Sequence, residues 1–158
     1  MEPKQTNAKS AALRLLTVRD RSTQEIRERL ERSYTKEEVA QTIDYLLEIG
    51  YLDDLRYARN HVDDRNRNRP TGNYLLRLEL GKKGINDQII DQVINTPETE
   101  HELALAVAEQ RLGALARVDA LARVRRLYGL LQRRGFPVTT AKAVVGELLD
   151  RDLENEYN

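Results

Sequence analysis

A repeat with a period of 51 residues limits this chain to few folds. The segment Leu80–Ile85 (LGKKGI) recurs 51 positions later as Leu131–Phe136 (LQRRGF), and a looser copy, Leu30–Tyr34 (LERSY), precedes both. Repeats of this length are typical of proteins built from stacked units, each of which buries its apolar face against its neighbours. We therefore expect three similar units in tandem.

Each copy of the repeat has the pattern of a helix end. A pair of apolar residues four positions apart comes before a basic last turn, as in Ile26/Leu30, Leu76/Leu80 and Leu127/Leu131. Cations suit the carboxyl end of a helix, and glycine accepts the left-handed conformation that ends it. Because Ser33 and Tyr34 replace the glycine and the apolar residue in the first copy, that turn is expected to differ.

No segment shows the period-two alternation of a strand. The sequence thus predicts an all-α fold of three tandem three-helix modules forming an elongated, curved repeat array. The predicted modules are 8–50, 51–96 and 97–153, with a disordered lead-in at 1–7 and a frayed tail at 154–158. Helix starts are predicted from capping patterns, and the capping residues are Ser22, Thr35, Thr96 and Asp119.

The second module begins with an acidic helix start. Asp53 and Asp54 follow Gly50, a predicted helix end, and open a helix with an apolar side. Proline disfavours helix in the residue before it, so we expect this helix to end before Pro70 and leave a basic loop at Arg65–Arg69.

Composition excludes several classes of protein. Lys and Arg total 26 against 26 for Asp and Glu, so net charge does not favour a nucleic-acid partner. The chain has no Cys, hence no disulfide and no thiolate metal site, which fits a reducing cytoplasm. No apolar run approaches the roughly 20 residues needed to cross a bilayer. We expect a cytoplasmic monomer that does not enter a membrane.

No motif for catalysis is found. A nucleophile with its base, a metal cluster and a phosphate loop each require a recognisable pattern, and none is present. His61 and His101 do not have a metal-binding spacing. Acidic pairs such as Asp53–Asp54 are more typical of helix caps than of magnesium sites. We expect no enzyme activity, no metal and no cofactor.

Basic residues are concentrated in two places. Residues 65–83 and residues 117–134 each hold six basic residues and one acidic residue. Because these patches recur at equivalent repeat positions, they are candidates for a surface that meets phosphates or an acidic protein. The alternative is that they cap helix ends and form solvated faces.

Tyr57, beside Arg56, is the predicted exposed aromatic contact. The predicted partner-binding residues are Asp53, Asp54, Arg56, Tyr57, Arg65, Arg67, Arg69, Arg77, Lys82, Lys83, Arg125, Arg126, Arg133 and Arg134.

Four segments carry a resemblance to a known family: Gly50–Ala58 (GYLDDLRYA), the approach from Arg65 to Gly72, and the two repeat segments LGKKGI and LQRRGF. With them the chain resembles the RecX family of bacterial regulators of the RecA recombinase, over about Ala11 to Leu149. The resemblance implies tandem three-helix units that lie in the groove of the RecA filament on single-stranded DNA. It implies inhibition of filament growth, strand exchange and ATP hydrolysis without an active site.

The expected partner is therefore the RecA filament, with single-stranded DNA at most a weak direct ligand. A DNA-binding module in its own right is the alternative, because three-helix units with basic turns resemble helix-turn-helix domains. Direct binding would weaken steeply with salt and persist without RecA.

Overall fold

The computed structural model describes residues 7–158, and these form nine α-helices and one 3₁₀ turn without any strand. The helices are α1 (Ala8–Val18), α2 (Thr23–Leu30), α3 (Lys36–Glu48), α4 (Asp54–Asn68), α5 (Asn73–Lys82), α6 (Asp87–Val93), α7 (Pro97–Leu112), α8 (Ala120–Arg133) and α9 (Val138–Glu156), with the 3₁₀ turn at Gly113–Leu115. They follow the chain as three groups of three. The predicted all-α class is confirmed, while the elongated, curved shape stays a prediction.

The helix starts are held by the predicted capping residues. Ser22 and Thr35 each accept a hydrogen bond from the amide three residues later, and the glutamate at that position bonds back to the cap. Thr96 caps α7 ahead of Pro97, and Asp119 caps α8. These side chains satisfy amides that have no partner within the helix.

The helix ends confirm the prediction that glycine takes the left-handed conformation there. Gly50, Gly84 and Gly135 have positive φ angles of 79°, 76° and 83°. After the last of these, the amide of Phe136 donates to the carbonyl of Leu131 at 3.0 Å, which is the hydrogen bond of a Schellman ending.

The first copy of the repeat ends differently, as predicted. The amides of Ser33 and Tyr34 both donate to the carbonyl of Leu30, at 3.0 and 2.9 Å. No residue other than glycine has a positive φ in the described part of the chain. A serine therefore closes this turn without the left-handed conformation.

The predicted basic loop is wrong, because α4 continues to Asn68 and holds Arg65 and Arg67 in its last turn. Proline restricts only the residue directly before it, and cations stabilise the carboxyl end of a helix. Only Arg69 lies outside α4, before Pro70.

At the ends of the chain, residues 1–6 of the predicted lead-in lie outside the described residues, Asn7 caps α1, and α9 includes residues 154–156.

The chain divides into two compact units. The first comprises the chain up to His61 together with Leu80–Val93, and the second comprises Val62–Glu79 with Ile94–Asn158. The core of the first unit comes from α1, α2, α3 and Leu52, and includes Ala12, Ile26, Leu30, Val39, Ile43 and Leu46. The core of the second comes mainly from α7, α8 and α9, and includes Ala104, Ala108, Leu127, Leu131, Phe136, Val144 and Leu148. No helix among residues 7–158 is long and apolar enough to span a membrane.

Candidate functional site

The acidic pair at the start of α4 caps the starts of two helices, α4 and α2. The Asp53 carboxylate accepts a hydrogen bond from the amide of Arg56 at 3.0 Å and so caps α4. The Asp54 carboxylate accepts one from the amide of Thr23, the first residue of α2, at 2.8 Å. Both carboxylates therefore satisfy free amides at helix starts. Asp53 caps its own helix, as its position after Gly50 predicts, whereas Asp54 caps a different helix.

Arg56 and Tyr57 also make contacts within the fold. The Arg56 guanidinium donates to the carbonyls of Gly50 and Tyr51, at 3.0 and 3.4 Å. Tyr57 is only 9% exposed, so the predicted exposed aromatic contact is wrong. Its ring lies on the buried side of α4 beside Ala58, and its hydroxyl hydrogen-bonds the Glu25 carboxylate.

Glu25 connects several elements of the first unit. Its carboxylate pairs with Arg19 at 2.8 Å and with Lys83 at 3.6 Å. Burial raises the pKa of Glu25, but the hydrogen bonds from Arg19 and Ser22 and the charge of Lys83 outweigh burial and leave the pKa below its ordinary value. The ionised carboxylate is therefore the form that stabilises the fold.

Tyr57 gives a pH-dependent prediction. Burial, and then the charge and hydrogen bond of Glu25, raise the pKa of Tyr57 to about 12. Because the folded pKa exceeds the unfolded value of about 10, this phenol stabilises the fold below about pH 10 and loses that effect as the pH rises through about 12. In urea titrations, the wild-type free energy of unfolding should fall more steeply over this range than that of Tyr57→Phe. Equal slopes would contradict the assignment.

The start of α2 contacts the end of α5 at a set of residues that we call the first joint: Ser22, Thr23, Gln24, Asp54, Lys83 and Gly84. The Ser22 hydroxyl donates to the carbonyl of Lys83 at 2.7 Å. Gln24 lies against Gly84 so closely that a Cβ at Gly84 would overlap its side chain. The first joint thus joins the first module to the second.

The second unit repeats this arrangement at the second joint, formed by Gly72, Asn73, Leu75, Glu100, Arg134 and Gly135. The Gly72 amide donates to the carbonyl of Arg134 at 2.7 Å, and the Asn73 amide donates to the buried Glu100 carboxylate at 2.5 Å. Leu75 lies against Gly135 as Gln24 lies against Gly84. In each joint an acidic residue from one module caps the second helix of the module before it.

A substitution at Asp54 tests the capping role. Asp54→Ala should lower the free energy of unfolding by about 1 kcal/mol, since the first amide of α2 loses its acceptor. Asp54→Asn keeps an acceptor oxygen and should lose less. Urea denaturation of both variants measures the difference, and an asparagine variant as unstable as the alanine variant would show that charge rather than capping matters.

Two of the predicted partner-binding cations, Lys83 and Arg134, make contacts at the joints. Lys83 pairs with Glu25 in the first joint, and the Arg134 guanidinium donates to the carbonyl of Pro70 at 3.1 Å in the second. Burial, and then the nearby charge of Arg69, lower the pKa of Arg134. Lys83 and Arg134 therefore belong at least partly to the fold.

The remaining basic residues among the predicted partner-binding residues differ in whether their side chains form ion pairs or hydrogen bonds. Arg65 pairs with Glu79 at 3.1 Å, and Arg67 donates to the carbonyl of Asp63 at 3.4 Å. Arg77 is exposed on α5. Five exposed side chains make no ion pair or hydrogen bond with any residue in the range 7–158: Arg69, Lys82, Arg125, Arg126 and Arg133. We call these five the unpaired cations. Their arrangement along one basic edge stays a prediction.

Sequence reasoning missed the structural roles of three residues: Glu25 and Glu100, which join modules, and Arg123, whose contacts lie within the third module. Arg123 lies 51 positions after Gly72, and its guanidinium donates to carbonyls of the 3₁₀ turn and the loop after it, at 3.1 to 3.2 Å. It also pairs with Asp152 at 3.5 Å. The 51-residue register relates Arg123 to Gly72, a residue of the second joint, and could have marked Arg123 as structural.

Residues 7–158 give no indication of a metal centre. The described residues contain no group of three or more His, Asp or Glu side chains that could hold a metal ion. His101 pairs instead with Glu147 at 2.8 Å.

Comparison with known proteins assigns the chain to a family. Family models described as the first, second and third three-helix domains of RecX match residues 8–46, 53–94 and 98–145. A regulatory protein RecX from Amycolatopsis mediterranei is 32% identical over 94% of this chain and 86% of its own length. The chain belongs to the RecX family. The RecX of Mycolicibacterium smegmatis is 33% identical, covering 96% of this chain and 84% of the relative.

Solved RecX structures share the fold. The crystal structure of RecX from Lactobacillus salivarius matches with a TM-score of 0.82 at 22% identity, covering 89% of this chain and 94% of that one. A second RecX crystal structure matches with a TM-score of 0.76 at 25% identity, covering 87% and 69%. The first joint thus links the first and second RecX domains, and the second joint links the second and third.

Proposed function

We propose that this protein binds in the groove of the RecA filament on single-stranded DNA and inhibits filament extension, ATP hydrolysis and strand exchange. It acts by binding alone, in the cytoplasm, without a catalytic step or a cofactor. The observation that carries this proposal is membership of the RecX family across all three helical domains. The relatives are regulatory proteins by name.

The unpaired cations support a surface for such a partner. A side chain that is exposed and has no anionic neighbour loses little intramolecular stabilisation when it meets phosphate or carboxylate groups on a partner. Arg133 and Lys82 occupy equivalent positions at the ends of α8 and α5, 51 residues apart. Cations that recur with the 51-residue period of the sequence suit a partner that is itself periodic.

The experiment that tests the proposed function is ATP hydrolysis by RecA on single-stranded DNA, measured with increasing amounts of this protein. Hydrolysis should decline as filaments stop growing, and more so when the protein is present before the filament forms. Undiminished hydrolysis with an excess of folded protein would contradict the proposal.

Direct DNA binding is the second candidate, favoured by exposed arginines at the ends of three-helix units. It predicts binding to naked single-stranded DNA that falls steeply with salt, because each phosphate contact releases a counterion. The same inhibition at a salt concentration that abolishes DNA binding would favour RecA as the partner.

A further inference from the structure

We propose that a second copy of this chain places the acidic end of its α9 in a basic, apolar groove beside Ser33 and Tyr34, so that the protein associates head to tail. This inference replaces the expected monomer with an associating protein. It goes beyond the proposed function and does not rest on it.

The groove lies at a repeat position that a residue of the preceding module contacts in the other two modules. Ser33 is equivalent to Gly84 and Gly135, at intervals of 51 residues. The Gln24 side chain contacts Gly84, which stays exposed, and Leu75 covers the buried Gly135. Ser33 is exposed and lines the groove. The first module therefore has a groove at the position where, in the other modules, a residue from the preceding module makes contact.

The lining of this groove is apolar and positively charged. It has a volume of about 370 Å³ and is formed by Ala11, Arg14, Leu15, Arg29, Leu30, Ser33 and Tyr34. Arg14 and Arg29 are exposed, and their side chains make no ion pair within residues 7–158. Because no acidic residue lines the groove, its chemistry suits an apolar segment that carries negative charge.

The end of α9 has the complementary chemistry. Leu149, Leu153 and Tyr157 are 37%, 54% and 88% exposed, and their spacing of four places them on one side of the helix. Asp150 and Glu154 are exposed nearby, and neither forms an ion pair with the described residues.

The acidic end of α9 fits this groove better than the start of α8 does. If a second copy simply continued the repeat, the residue equivalent to Leu75 would be Arg126, which lies 51 positions later. Arg126 would then approach Arg14 and Arg29, and like charges would oppose the contact. The acidic, apolar end of α9 avoids this repulsion.

Sedimentation equilibrium of the full chain over a wide concentration range at low salt tests the proposal. The average mass should rise above the 18.2 kDa of one chain as concentration increases. Leu153→Asp, and separately Arg14→Glu with Arg29→Glu, should raise the dissociation constant by about tenfold, through loss of an apolar anchor or of opposite charges. A mass that stays at one chain over the whole range overturns the proposal.

Charge exchange identifies the contacting surfaces. The Arg14→Glu, Arg29→Glu variant should associate with a variant carrying Asp150→Lys and Glu154→Lys more tightly than either associates with itself. Lys36→Glu and Glu102→Lys make similar charge changes on exposed residues outside both surfaces, and should leave association unchanged. If the exchanged pair stays apart, or the control changes weaken association equally, the proposed contact is wrong.

Discussion

Gly72→Ala is expected to lower the free energy of unfolding by about 3 kcal/mol, the upper end of the usual effect of overpacking. A Cβ at this position would overlap the carbonyl of Gly135 and the amide of Phe136. These are backbone atoms, so no side-chain rotation relieves the overlap. Relief would separate Gly72 from Arg134 and break the 2.7 Å hydrogen bond at the centre of the second joint.

Gly146→Ala is the matched control for this variant. Gly146 lies within α9 in the same unit, and a Cβ there meets nothing within 4 Å. Since alanine favours helix over glycine by about 1 kcal/mol, this substitution should stabilise the protein. Urea denaturation followed by circular dichroism measures both effects. Should Gly72→Ala prove as stable as wild type, the close contact at the second joint is wrong.

Reversing Lys82 and Arg133 to glutamate is expected to raise the concentration of protein that halves RecA-dependent ATP hydrolysis by about tenfold, equivalent to about 1.4 kcal/mol of binding free energy. Both residues are unpaired cations, so reversal removes positive charge from an exposed surface without breaking an ion pair. Their neighbours Lys83 and Arg134 are poorer choices, because reversal there would also disturb the joints.

The control for this experiment is a reversal at another exposed basic residue, Lys36→Glu. It changes charge in the same direction outside the proposed surface, and a glutamate suits the first turn of α3. Circular dichroism should show that all variants are folded. If the Lys82 and Arg133 variant inhibits as well as the control, the basic surface does not bind the partner.

Much of the fold follows from local rules that the sequence displays. The 51-residue period, the capping residues and the glycine endings depend on short-range hydrogen bonds, so they could be predicted residue by residue. The length of α4 could not, because Pro70 restricts only Arg69 and leaves the preceding residues free to continue the helix. Local chemistry also predicted the different ending at Ser33.

The candidate site was harder to predict, since charge and polarity do not reveal what a side chain contacts far along the chain. Asp54 reads as a cap for its own helix, yet its carboxylate bonds an amide 31 residues earlier. Tyr57 follows Arg56, so the sequence suggests an exposed side chain. In the structure Tyr57 is buried and interacts with Glu25. Only tertiary contacts of this kind distinguish the residues that form the joints from the residues that stay available to a partner.

The most direct test of the proposed function compares two binding affinities of the labelled protein at one salt concentration: for RecA filaments assembled on single-stranded DNA, and for the same DNA without RecA. The account predicts that the filament binds more tightly by about tenfold or more, a difference of at least about 1.4 kcal/mol. Equal affinities, or tighter binding to naked DNA, would contradict the claim that the filament is the partner.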